Sequence, residues 1–330
     1  MPANLSPEYK KAEHAYRAAH EPRERLDLLK EMLRTIPKHK GTEHLQADIK
    51  SRIKQLTDEL AGPKKGGVRA HFSLRREGAA QVCLVGPPNA GKSTLHAALT
   101  GSHSEAGPFP YTTRTPVPGM LRFEDIAFQL VDLPPLSREH MEPALIGVLQ
   151  AADAAWLVVD LSDPACTEQL RFICDELARR KIVLDESWPA READDVFQAR
   201  LPTLLVANKS DLDPDPDEVS VLEELLEVHY PAFAVSATTG QGLSELAPFL
   251  FKSLGVVRVY SKVPGKPPDR QRPFIVRSGD RVLEVARLVH QDVAATLKYA
   301  RVWGSGEFDG QQVGPEHRVR DGDVLELHAR

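Results

Sequence analysis

Gly86, Pro87, Pro88, Asn89, Ala90, Gly91, Lys92, Ser93 and Thr94 follow directly on the apolar run Val82, Cys83, Leu84 and Val85, and a helical pattern continues from them to Leu99. A glycine-framed loop between a strand and a helix aims successive backbone N–H groups and the positive end of the helix at one point, which suits a phosphate. The N–H groups of Asn89, Ala90, Gly91, Lys92, Ser93 and Thr94 are the candidates for that cradle. Lys92 adds a cation on a long stem for the β- and γ-phosphates, and Ser93 a hydroxyl for Mg2+. Thr113, 20 residues after Ser93, lies in a stretch with few structural preferences that could carry a second hydroxyl to Mg2+ when a γ-phosphate is present. Asp132 ends a buried strand over 128–131, where a carboxylate reaches the Mg2+ shell through water.

A second constellation addresses a base. Asn208, Lys209, Ser210 and Asp211 close the apolar run over 204–207. Asp211 can accept from the N1–H and exocyclic amine of guanine, a donor pair that adenine lacks. Asn208 can bond the base edge, and the Lys209 stem can cover its face. A site built to satisfy those donors discriminates against ATP. Ser236 and Ala237, after the last apolar run of this region, are placed to bring the Ala237 N–H to the guanine O6. Phosphoryl transfer to water would then rest on positioning and charge neutralisation, with Lys92 and Thr113 as the side chains nearest the reacting phosphate.

These residues need a sheet to hold them. Strand patterns occur over 81–85, 120–123, 127–131, 154–160, 202–207 and 232–235, and helical ones near 92–99, 139–150, 167–180, 217–228 and 244–254. Such alternation predicts an α/β fold, an open and mostly parallel sheet with helices on both faces. Glu124 and Asp125 read as a hairpin turn, making one edge strand antiparallel. Before this region, 6–60 is helical, with Ser6 ahead of Pro7 as a start signal; its later part forms a helical hairpin packed by the stripe Leu45, Ile49, Ile53, Leu56 and Leu60. After it, two strands, a helix over 282–290 and two more strands predict a β-grasp shape. The expected domains are 1–77, 78–255 and 256–330.

Residues 1–76 hold 17 Lys/Arg against 10 Asp/Glu, leaving 25 against 37 in the remainder. The basic end is where a polyanion such as structured RNA would bind, or it is a solvated helical face. Tyr9, Tyr16 and Phe72 are too scattered for a base-stacking platform. Val282, Val285, Leu288, Val289 and Trp303 read as packing residues. The 3 cysteines show no metal-ligand spacing, which fits a reducing cytoplasm, and no apolar run approaches a membrane span.

The loop 86–94, Thr112 and Thr113 with Pro116 and Gly119, and 208–211 resemble the nucleotide motifs of the Obg/DRG GTPases, and more closely those of the DRG (developmentally regulated GTP-binding protein) branch. The stretch 35–43 resembles that branch's N-terminal helical region, and 299–304 with 321–324 its β-grasp TGS domain. The resemblance implies a P-loop GTPase domain binding GTP/GDP with Mg2+, a partner in the ribosome or structured RNA reached through the N-terminal helices and the TGS domain, and no membrane. Asn89 resembles the loop asparagine that binds K+ beside the phosphates in related GTPases; turn geometry alone would also select asparagine there. Two departures stand out. Family members read Asp-x-Pro-Gly where this chain has Asp132, Leu133, Pro134 and Pro135, so a residue without an N–H stands where a glycine would sense the γ-phosphate. The small domain that DRG proteins insert ahead of the guanine motif is also missing. A slow GTPase and a GTP/GDP-binding protein with little hydrolysis both remain open.

Overall fold

The computed structural model describes residues 5–19, 21–37, 42–60, 74–102, 115–136, 143–190, 195, 197–212 and 218–329, which divide between two compact units. Phe72, Thr113 and the segment 137–140 lie outside the described residues.

The larger unit follows from the alternation of apolar runs and amphipathic helices. Its first sheet has the order β2 (Val117–Phe123), β3 (Ile126–Asp132), β1 (Gln81–Val85), β4 (Ala154–Asp160), β6 (Ala199–Asn208), β5 (Ile182–Asp185), with β7 (Ala232–Ala234) also paired to β6. β1 is parallel to both β3 and β4, and β4 and β7 are parallel to β6. β1 is buried along its whole length, as its unbroken apolar run requires. The antiparallel strand is β2, at the edge, joined to β3 through Glu124 and Asp125. It begins earlier than the sequence suggests because an edge strand tolerates Pro118, which has no N–H to offer a ladder. Gly119 is required there, since a Cβ would come within 2.6 Å of the buried His96 ring.

Helix α4 (Lys92–Thr100) packs against β2 and β3, α6 (Cys166–Arg179) against β4 and β5, and α8 (Leu246–Ser253) against β2. Two helices, α5 (Pro143–Ala151) and α7 (Glu218–Leu226), complete the α/β segment in sequence. The core between sheet and helices is built around Leu84, Leu95, Phe128, Leu130, Trp156, Val158, Leu204, Val206, Leu246 and Leu250.

A second sheet in the same unit has the order β11 (Gln311–Val313), β10 (Leu297–Trp303), β12 (Asp323–Ala329), β8 (Val256–Ser261), β9 (Asp269–Arg277). Helices α9 (Val282–Val289) and α10 (Gln291–Thr296) complete the β-grasp fold. Val282 and Val285 enter its core as expected, but Leu288 and Val289 are exposed. Trp303 is half-buried, with the Lys262 ammonium 4.5 Å from its ring centre. The β-grasp module meets the first sheet at the β2–β3 turn. Arg258 contacts Glu124, Asp125 and Asp321, and the Tyr260 hydroxyl donates to Asp125 Oδ2 at 2.6 Å.

The smaller unit contains α1 (Pro7–Ala18), α2 (Pro22–Thr35) and α3 (Glu43–Leu60), packed in succession, together with α5 and residues 195 and 197–199. Ser6 caps α1, its Oγ accepting from the Tyr9 N–H at 3.1 Å. Tyr9 and Tyr16 are buried with Leu29, Met32, Ile49 and Phe197, so neither presents a ring to a base. Leu60, the end of the expected apolar stripe, is exposed. Arg52 is structural: it donates to Gln150 Oε1 at 3.2 Å and to the Phe197 carbonyl at 3.0 Å.

Among the described residues no helix is long and apolar enough to cross a membrane.

Candidate nucleotide-binding site

The phosphate loop leaves β1 at Gly86 and enters α4 at Lys92. Gly86 passes so close to the Val158 carbonyl that any side chain would collide with it, and Gly91, at φ 84°, is equally closed by the Asn208 amide. Asn89 also sits in the left-handed region, at φ 62°, with its side chain exposed. That conformation favours asparagine on backbone grounds alone.

Lys92 is buried, its ammonium donating to the carbonyls of Gly86 (3.0 Å) and Pro87 (2.8 Å). Burial draws its pKa down to about 8, against a smaller opposing pull from Asp132. One residue on, Ser93 Oγ donates to Asp132 Oδ2 at 2.6 Å. Helix α4 and strand β3 thus bring together the hydroxyl and the carboxylate expected to hold Mg2+, and Asp132 is fully buried. This donor set fits a hard divalent cation. Beyond Asp132 the chain runs through the buried Leu133, Pro134 and Pro135 to Leu136, whose N–H returns to the Gly86 carbonyl at 3.2 Å.

The base end gathers at the C-terminal ends of β4, β6 and β7. Asn208 is buried, and its amide bridges two loops: Nδ2 donates to the Ala90 carbonyl at 2.9 Å, and Oδ1 accepts the Ala237 N–H at 3.1 Å. Asn208 and Ala237, the candidates for the base edge and for O6, are thus joined to each other where parallel β6 and β7 end side by side. Ser236 is also buried; its Oγ accepts from the Thr239 N–H at 3.1 Å and pairs with Thr238 Oγ1 at 3.0 Å, shaping the loop that carries Ala237. Asp211 remains exposed, with Thr238 Oγ1 at 3.4 Å from its Oδ2. A hydrogen bond from Ser236 leads the effects that hold its carboxyl below the usual range.

Residues 81–209 match the family model described as 50S ribosome-binding GTPase, and 257–329 match the TGS domain. The matched regions are those of a GTPase domain followed by a C-terminal TGS domain, and the relatives include proteins named as developmentally regulated G-proteins. The chain is 28% identical to Developmentally-regulated G-protein 2 of Arabidopsis thaliana, over 90% of this chain and 88% of that one. An uncharacterized GTP-binding protein of Methanocaldococcus jannaschii is 27% identical over 92% of each chain. In fold it resembles the crystal structure of a GTP-binding protein from Pyrococcus horikoshii OT3, with a TM-score of 0.52 and 17% identity over 76% of this chain and 100% of that one.

One member of the site is not among the sequence candidates. Asp160, at the end of β4, is the register partner of Asn208 and takes the Lys209 ammonium at 2.6 Å. The signal available in the sequence is an acidic residue closing a wholly apolar strand; Asp132 likewise closes a strand, one that Gln129 interrupts.

Proposed function

We propose that this GTP-binding protein is a slow, Mg2+-dependent GTPase of the cytoplasm that works with the ribosome or another structured RNA. The observation that carries the reading is the Ser93–Asp132 pair at 2.6 Å beside the buried Lys92: hydroxyl, carboxylate and cation converge where a β,γ-phosphate bridge would lie. Backbone N–H groups of Asn89, Ala90, Gly91, Lys92, Ser93 and Thr94 would cradle the phosphates. Ser93 would ligate Mg2+, with Thr113 as a second ligand and Asp132 acting through water. When bound, Mg2+ neutralises charge on the phosphate oxygens. Lys92 would hold the triphosphate in line for water, Asp211 would accept from the guanine edge, and Lys209 would cover the base, with Asn208, Ser236 and Ala237 framing it. Asn89 is the candidate for K+. Cys83, Cys166 and Cys174 are not joined in a disulfide, which accords with a reducing compartment.

Pro135 favours a second reading, a guanine-nucleotide-binding protein with little hydrolysis, because it removes an N–H at the position expected to sense the γ-phosphate. Phosphate release separates the two. The GTPase reading expects turnover that requires Mg2+, rises when K+ replaces Na+, and rises again with added ribosomes. Tight GTP binding without turnover under all three conditions leaves the binding-protein reading. For the RNA partner, reversing the exposed Lys10, Lys11, Lys50 and Lys54 to Glu is expected to weaken ribosome co-sedimentation and flatten its salt dependence; unchanged sedimentation rejects the N-terminal contact.

A further inference from the structure

Strands β4 and β6 run parallel and end level, with Asp160 opposite Asn208. The next residue, Lys209, turns into the left-handed region at φ 65°, which sends its side chain back across the strand ends. There its ammonium donates to Asp160 Oδ2 at 2.6 Å. The other oxygen of Asp160 is committed as well, accepting the Ser162 N–H at 3.1 Å and the Ser162 hydroxyl at 2.6 Å. Burial alone would raise the Asp160 pKa; the bonds from Lys209 and Ser162 outweigh it and hold the carboxyl below its usual range. Asp160 is therefore an anion fixed at one place, and it fixes the far end of Lys209.

Lys209 has another carboxylate within its influence. Asp211 lies two residues on, and its ionisation is also favoured by the Lys209 charge. A four-carbon stem ending in a compact cation has the reach and freedom to pair with either acid. In the structure it is bonded to Asp160, while Asp211 has a long contact with Thr238, a bond from Ser236 and one from its own backbone.

We propose that Asp160 is a positioning residue for base recognition: by anchoring the Lys209 ammonium at the end of β4, it stretches the Lys209 methylenes into a fixed apolar face for the purine and keeps the ammonium off Asp211, whose carboxylate stays available to the guanine edge. The proposal rests on the reading of Asp211 as the guanine acceptor. A pair that is partly open to water contributes little to folding, so its consequence is in ligand binding.

The test is a double-mutant cycle between Asp160→Asn and Lys209→Met, read by titration with a fluorescent GDP and by the thermal midpoint of the nucleotide-free protein. Asn at 160 can still accept from Ser162 but no longer holds the ammonium by charge. Met at 209 keeps an apolar stem and removes the group that would migrate to Asp211. Asp160→Asn is expected to weaken GDP binding about tenfold, the scale of one charge-assisted hydrogen bond, with the midpoint unmoved. In the Lys209→Met background the same change should cost nothing further. Wild-type affinity in Asp160→Asn overturns the proposal. So does an equal loss in the Lys209→Met background, or a loss that tracks a fall in the midpoint. Asp211→Asn serves as the control on the underlying reading: if it binds GDP as the wild type does, the guanine assignment itself fails, whereas its loss of binding beside an unaffected Asp160→Asn sinks the positioning role alone.

Discussion

At the base end of the site, the polar groups are already committed to one another: Asn208 joins Ala90 to Ala237, Lys209 is held by Asp160, and Ser236 is tied to Thr238 and Thr239. At the phosphate end, the principal cation is folded back onto its own loop, Lys92 resting on the carbonyls of Gly86 and Pro87. The first arrangement is preorganised, so a guanine would meet acceptors that need little rearrangement. The second must exchange carbonyl partners for phosphate oxygens, and such an exchange responds to how many phosphates are present. The contrast assigns affinity for the nucleoside to the base end and sensitivity to GTP against GDP to the phosphate end.

The largest expected effect breaks the base end. Asp211→Asn removes the acceptor for two guanine donors and leaves an amide N–H facing them. GTP and GDP should both lose affinity by roughly a hundredfold or more, while xanthine nucleotides, whose edge presents a carbonyl instead of the amine, should gain relative to guanine ones. Competition titrations with GTP, GDP and XTP measure this. Unequal losses for GTP and GDP would show that the base end also reads phosphate state, and the division drawn above would fall.

Lys92 gives the next largest effect and a pH signature. Lys92→Met should weaken GTP and GDP by about 10- to 100-fold, the range for a lost hydrogen-bonded charge, with guanosine binding unchanged. Because burial lowers the Lys92 pKa from 10.5 to about 8, the folded nucleotide-free protein releases this proton at lower pH than the unfolded chain. Between those values the unfolded state binds more protons, so this group makes the nucleotide-free fold more stable as pH rises from about 8. Phosphate favours the ammonium, so GDP affinity should move the opposite way, weakening above pH 8 by up to about tenfold per unit. Thermal midpoints and GDP titrations across pH 7 to 10 read both slopes, and Lys92→Met should flatten them. A wild-type GDP affinity that holds level above pH 8 would mean that Lys92 stays on its carbonyls when nucleotide binds.

The sequence reveals the phosphate half of the site more fully than the base half, for a physical reason. The loop 86–94, Ser93 and Asp132 are marked by local pattern: glycines where side chains would collide, and a carboxylate closing a strand. Their meeting follows from one parallel pairing, β1 with β3. The bonds of Asn208, by contrast, depend on a carbonyl 118 residues away and an N–H 29 residues away, which no spacing rule displays. Within the fold, β1 and β4 have the bounds their apolar runs predict, while β5 and β11, at 4 and 3 residues, are too short to show a period. The sequence expectation for β2 starts at 120, whereas the strand begins at Val117: the edge position accommodates Pro118, and contact with His96 demands the glycine at 119.

The smallest expected effect bears on how the phosphate end reads its ligand. Pro135 has no N–H, and the next one along, from Leu136, is bonded to the Gly86 carbonyl at the mouth of the same loop that Lys92 occupies. Pro135→Gly introduces a donor at the position where the resemblance to the Obg/DRG GTPases implies a glycine, at some entropic cost from the freer unfolded chain. One neutral hydrogen bond is worth about 1 kcal/mol net, so the ratio of GDP to GTP-analogue dissociation constants should rise about fivefold or less, measured with a non-hydrolysable analogue. A rise would mean that the native proline mutes sensing of the γ-phosphate at this segment. An unchanged ratio would place that sensing on Lys92 and its two carbonyls instead, because a glycine at 135 would then supply an N–H that finds no phosphate oxygen to meet.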